Sequence, residues 1–149
     1  FIWLGIIKIL LPQSKIIHCR RSPKDNILSL YKNDFDGRLN FTYDYADLLE
    51  FYSEYSELIK FWKSKLSNQI YDVNYEKMIQ EPDTQIRELL KYCDLDYEDK
   101  CLKFYETKRP IKTVSSNQAR QPLYDSSISS YKNYEVFMKE IFTKLDNFK

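Results

Sequence analysis

Apolar residues recur along this chain at spacings that change from one segment to the next. Residues 1–11 (FIWLGIIKILL) are almost wholly apolar, and Pro12 stops them, which predicts a buried helix. Lys15–Arg20 (KIIHCR) is a short apolar run ending in charge and predicts a buried parallel strand. Ser22-Pro23 then places an N-cap before a proline at the first helical position, with Asp25 in the first turn. Ile27, Leu28, Leu30 and Tyr31 give that helix an apolar face to about Phe35, and Asp36-Gly37 closes it. Leu48, Leu49, Tyr52, Tyr55, Ile59 and Trp62 recur at three- and four-residue steps and predict a long helix over Asp44–Leu66. Glu50, Glu54 and Glu57 fall on its solvated side. Gln69–Asn74 is a second strand, Tyr75–Gln80 a short helix, and Asp83–Cys93, opened by Pro82, an amphipathic helix with Ile86, Leu89 and Leu90 inward. Glu98–Tyr105 predicts another short helix. Thr107–Ser130 has no sustained period and predicts an extended loop, and Tyr131–Phe148 a closing helix.

Strands separated by helices predict an α/β fold, a parallel sheet covered on both faces, in one domain over residues 1–149. Such sheets take ligands beyond the C-terminal ends of their strands, here Arg20–Lys24 and Asn74–Lys77. The 149 residues carry a net charge of +1, with 43% apolar and 30% charged side chains, the balance of a globular chain. A balance so near zero argues against a nucleic-acid or acidic-lipid binder. Two glycines (Gly5, Gly37) exclude a P-loop or a G-x-G-x-x-G turn within these residues. One His and three Cys predict no metal site. The apolar start is too short to cross a bilayer and lacks a small-residue cleavage site, so neither membrane span nor signal peptide is expected. The odd cysteine count predicts a reduced, cytoplasmic setting, with Cys93 and Cys101 as buried thiols.

Candidate chemistry gathers at the first strand's end. Arg20, Arg21 and Lys24 meet a helix N-terminus, with Ser29 two turns on. Arginine forks two N–H groups toward a phosphate, and the helix end adds free backbone N–H groups. Tyr75, at the end of the second strand, offers a ring face and a hydroxyl. Residues 107–132 hold five basic side chains (Lys108, Arg109, Lys112, Arg120, Lys132) against Asp125 alone, a local charge suited to folding over an anion. His18, inside an apolar strand, is expected to be buried and hydrogen-bonded rather than a base. Glu76 is expected to start the next helix or to pair locally. Trp3 and Trp62 are expected in the core.

KIIHCRRSPKDNILSLY resembles the 3′-phosphate-binding segment of sulfotransferases that use 3′-phosphoadenosine-5′-phosphosulfate (PAPS): a strand ends in Arg, and Ser follows eight positions later, as Arg21 and Ser29 do. The bacterial branch associated with tetratricopeptide repeats, related to tyrosylprotein sulfotransferases, is similar over nearly the whole chain. It shares YDYADL (Tyr43–Leu48), the V-x-Y-E strand end (Val73, Tyr75, Glu76), C-x-L-x-x-x-x-x-C-L (Cys93 to Leu102) and Q-x-R-x-P-x-Y-x-S-S (Gln118 to Ser127). Ser22 stands where that branch usually has Asp, and Ser130 where it often has Arg or Lys. The resemblance implies a P-loop nucleoside-kinase-like sheet and transfer of a sulfuryl group from PAPS to a hydroxyl or amine acceptor, protein tyrosine among the candidates. It implies cofactor contacts from Arg21, Ser29, Tyr75, Ser115, Ser116 and Arg120. It also implies that the N-terminal strands, the 5′-phosphosulfate loop and the catalytic acid or base lie upstream of Phe1, after tetratricopeptide repeats in a longer parent, and that residues 1–149 alone are inactive. Two other readings are a fragment of another nucleotide-using α/β transferase, such as a kinase, and a non-catalytic helical binding module.

Overall fold

The computed structural model describes residues 1–35, 37, 39–107, 120–146 and 148. Its elements run α1 (Leu4–Leu10), β1 (Ile16–Arg20), α2 (Pro23–Lys32), α3 (Tyr45–Lys65), β2 (Ile70–Asn74), α4 (Tyr75–Gln80), α5 (Pro82–Tyr92) and α6 (Glu135–Leu145). Single 3-10 turns occupy Asn40–Tyr43, Asp99–Cys101, Phe104–Glu106 and Ser130–Tyr134.

Among the described residues the sheet has two strands. They pair in parallel, with Ile16 opposite Ile70, His18 opposite Asp72 and Arg20 opposite Asn74. Alternation along the strands puts Ile16, His18, Ile70 and Asp72 on one face, toward α3. There Ile16 packs with Leu4 and Ile59, and Ile70 lies against them. On the other face Tyr71 stacks on Tyr92 of α5 at 4.9 Å. The Tyr92 hydroxyl donates to the Gln69 carbonyl at 2.7 Å and accepts from the Ile16 N–H at 3.3 Å. The α/β expectation therefore holds for this pair of strands, with a helix on each face.

The periodic reading of α3 holds almost to the residue. Asp44 caps it, its carboxylate accepting from Ala46 N–H at 2.7 Å and Asp47 N–H at 3.2 Å. Its apolar stripe supplies Leu48 and Tyr52 to the main core, which also takes Ile27 and Leu28 from α2 and Met138, Ile141, Phe142 and Leu145 from α6. Glu50, Glu54 and Glu57 are exposed, as their spacing predicts.

Four expectations need correction. The first apolar run is a shorter helix, and of its side chains only Leu4 is buried; Trp3 is 64% exposed. An apolar run buries only the stripe that meets a neighbour, and α1 meets α3 along one line, where the Trp62 ring occupies the space a Cβ on Gly5 would need. The closing segment begins as the 3-10 turn Ser130–Tyr134, and α6 itself kinks at Met138 (φ −118°). Glu98–Tyr105 is two 3-10 turns rather than one helix. Cys93 and Cys101 are half-buried free thiols, and Cys19 is an exposed one.

Candidate functional site

The site is built where both strands end. β1 stops at Arg20, Arg21 occupies the turn, and Pro23 starts α2. Ser22 sits at the N-cap position, but its side chain makes no capping bond. Its backbone N–H instead donates to Glu76 Oε1 at 2.7 Å. Glu76 thus begins α4 but reaches across to the other strand end, a long-range tie rather than a local pair. At the end of β2, Asn74 caps α4 by accepting from Lys77 N–H at 2.8 Å, which brings the chain straight from strand into helix and leaves Tyr75 at the corner.

Arg21 and Tyr75 face each other across this corner. The guanidinium lies over the Tyr75 ring at 4.9 Å and donates to the Ser127 carbonyl at 2.7 Å. The Tyr75 hydroxyl and Ser127 Oγ are also hydrogen-bonded, at 2.7 Å. Among the described residues, the buried Arg21 Nε–H has no hydrogen-bond partner. A cleft of about 470 Å³ opens beside this group. Arg21, Ser29, Lys32, Asn33, Tyr75, Tyr124, Ser126, Ser127 and Ser130 line it with Leu28. Among the described residues it is walled by two cations, six hydroxyls and an amide, and none of those lining residues is Asp or Glu. That donor-rich, acid-free wall suits an anion.

The structure thus brings Arg21, Ser29 and Tyr75 together, as the sequence predicts. Arg120 is exposed and is not among the residues that line the cleft. Ser115 and Ser116 lie outside the described residues, as do Lys108, Arg109 and Lys112. Two contributors escape a reading of the sequence. Lys32 lies one turn beyond Ser29 and lines the same cleft, its ammonium donating to the Tyr134 hydroxyl at 3.1 Å. The three-residue helical step from Ser29 was the signal for it. Asp25, only 1% exposed, accepts from Ser129 N–H, Ser130 Oγ and Tyr131 N–H at 2.9, 3.0 and 2.9 Å. It clasps the turn that carries Ser127 onto α2. Ser129 adopts the left-handed conformation there (φ 58°), which aims successive N–H groups at one carboxylate.

A larger cleft, of about 530 Å³, lies on the other side of the β1–α2 turn and shares Arg21 and Tyr75 with the first. Arg20, Lys24, Tyr52, Tyr55, Tyr131 and Phe148 are among its walls. Lys24 pairs there with Asp146 at 2.8 Å. Behind Tyr55 stands His18, its side chain 11% exposed, bonded to the Tyr55 hydroxyl through Nε2 at 2.5 Å and to Asp72 Oδ1 through Nδ1 at 2.7 Å. Lys63 donates to the second Asp72 oxygen at 2.5 Å. Burial, the largest influence, lowers His18 below its ordinary 6.5 and outweighs the pull of Asp72, so the ring is neutral at pH 7. Burial alone would raise Asp72, but the bonds from Lys63 and His18 together hold it below 3.8. The buried, bonded histidine expected from the strand pattern is what stands there. Burial also pushes Tyr52 up to about 12 and raises Tyr55.

The sulfotransferase family profile matches residues 1–99, more than half of the chain. The chain belongs to the sulfotransferase family. The matched stretch holds Arg21, Ser29 and Tyr75 as well as His18, Tyr55 and Asp72. The chain is also similar to an uncharacterized protein of Aquifex aeolicus (strain VF5), 33% identical over 144 residues, which covers 95% of this chain and 19% of that protein. The sulfotransferase-family chain therefore spans less than a fifth of the length of this relative. Among its described residues no helix is long and apolar enough to cross a membrane. No group of three or more His, Cys, Asp and Glu side chains among them is arranged to hold a metal ion.

Proposed function

We propose that this chain anchors the nucleotide of a PAPS-dependent sulfotransferase, the 3′-phosphate lying against Arg21, Ser29 and Lys32. The observation that carries the reading is the cleft on which Arg21, Ser29 and Tyr75 converge, with no acidic side chain among its described lining residues. Arg21 is held by a neutral carbonyl and a ring face, so its charge is aimed but not neutralised, and its buried Nε–H lacks a partner among the described residues. A phosphate supplies what that group needs: negative charge and several acceptor oxygens within a donor-rich wall. Tyr75 lines the same space and steadies Ser127.

Bound PAPS would supply an activated sulfuryl group for a hydroxyl or amine. The residues described here bind and orient. An anchor at the far phosphate fixes where the other end of the nucleotide lies, and alignment is a large part of group-transfer catalysis. The family membership supports a transferase role, and the donor is the part this site speaks to.

Calorimetry with adenosine 3′,5′-bisphosphate tests the reading. Arg21→Ala removes a charge-assisted contact worth about 1.5–3 kcal/mol and is expected to weaken binding roughly tenfold to a hundredfold. An unchanged dissociation constant would sink the assignment.

A further inference from the structure

Tyr55 is part of a wall common to the 530 Å³ cleft and to a smaller one of about 220 Å³ that reaches Lys60 and Lys63. With the His18 ring neutral, the hydrogen bonds behind it run in one direction. Lys63 can only donate, and the ionised Asp72 can only accept. The hydrogen between Asp72 and the imidazole therefore sits on His18 Nδ1. A neutral ring with hydrogen on Nδ1 has none on Nε2, so Nε2 accepts from Tyr55. The one proton of the Tyr55 hydroxyl is thus turned inward. What Tyr55 can present to either cleft is its oxygen lone pairs.

We propose that Tyr55 is a specificity-determining hydrogen-bond acceptor, fixed in that sense by His18 and Asp72, which selects ligand groups that carry an O–H or N–H. An ether, carbonyl or sulfate oxygen at the same point would face lone pairs with nothing to share. A site that commits a buried group to one hydrogen-bond sense discriminates strongly against ligands that cannot match it. For the identity of the ligand the proposal rests on the reading of the chain as a sulfotransferase: a hydroxyl acceptor carries the required hydrogen, and its sulfate ester does not. Tyr55 therefore favours substrate over product at that contact.

The device reverses on protonation. The groups facing His18 are Asp72 from β2, Tyr55 and Lys63 from α3, and Arg20 from β1. When the ring takes a second proton, Nε2–H donates to Tyr55, and the phenolic hydrogen turns outward.

His18 is the chain's one histidine, so imidazole nitrogen NMR reads a single side chain. At pH 7.5 the expected spectrum is that of the Nδ1–H tautomer. Phenol and its methyl ether anisole fit the aromatic walls and differ in one hydrogen. Phenol is expected to bind at least about fivefold more tightly, the ratio one ordinary hydrogen bond gives. Tyr55→Phe should abolish that preference, and His18→Gln should reduce it. Tyr55→Phe should leave the affinity for adenosine 3′,5′-bisphosphate within twofold. A Nε2–H tautomer, equal affinity for the two probes, no binding of either, or a preference intact in Tyr55→Phe would overturn the proposal. Failure of the native chain to bind the nucleotide would instead overturn the sulfotransferase reading, leaving the tautomer and probe results standing on their own.

Discussion

On either side of the β1–α2 turn stands an arginine, and the two keep opposite company. Arg20 lies 3.6 Å from Asp72, a carboxylate that also holds Lys63 and His18. Arg21 meets a backbone carbonyl and a tyrosine ring, and among the described residues no acidic side chain lines the 470 Å³ cleft beside it. Arg20 is the last residue of the pleated strand and Arg21 the first of the turn, so one step in sequence separates a cation already answered from one left with charge to offer. What matters for anion binding is less how many basic residues a segment has than what each is already paired with.

The comparison can be broken most severely at Asp25. Replacing it by Ala strands two part-buried N–H groups and a hydroxyl, each costing roughly 1 kcal/mol. Asp25→Ala should destabilise the fold by about 3 kcal/mol in denaturant titration. It should also loosen Ser127 and so weaken adenosine 3′,5′-bisphosphate on the Arg21 side. Full nucleotide affinity in a folded Asp25→Ala variant would show that the clasp does not shape the cleft.

A second test uses pH, and it touches only the Arg20 side. His18 has a lowered pKa, so the unfolded chain binds its proton more readily than the folded one. The stability this contributes is complete above 6.5 and is lost as pH falls from there toward the lowered value. Asp72, also lowered, adds a second loss as pH falls below 3.8. Unfolding free energy should decline below pH 6.5 with a slope no steeper than one proton's, about 1.4 kcal/mol per unit. His18→Gln should remove that first decline, and a decline that persists would place its origin elsewhere.

The mildest change expected is at Arg20 itself. The Arg20 side chain is half exposed and the pair is long, the kind of surface contact worth about 0–1 kcal/mol. Arg20→Ala should shift stability by less than that and leave nucleotide affinity within threefold, against the tenfold or greater loss for Arg21→Ala. Equal losses at the two positions would erase the distinction between them.

Much of this was legible beforehand where the causes are local. The α3 stripe and its bounds, the strand ends and the Arg21–Ser29 spacing all lie within a few helical turns. The rest depends on partners far away in sequence. Asp25 looked like an ordinary first-turn acid because the atoms it binds lie 104 to 106 residues downstream. The order from Tyr55 to Asp72 needs the strand register and the rotation of α3 together, and neither can be read from spacing. The α1 run was misjudged for another reason: apolar composition says what a helix could bury, not whether a neighbour is there to cover it.

The parallel pairing of β1 with β2 also has a consequence in time. His18 and its partner Asp72 lie 54 residues apart, with α2 and α3 between them. Closing so long a loop is entropically slow, whereas helices form from neighbouring residues. The folding order this implies is helices first, then the strand pair, then the ties from Ser127 and Ser129–Tyr131 that span about a hundred residues. The cleft beside Arg21 is thus expected to be the last part of the molecule to be assembled. A fluctuation that leaves α3 intact can undo those long-range ties, so an anion bound there would act as a late lock on a scaffold already in place.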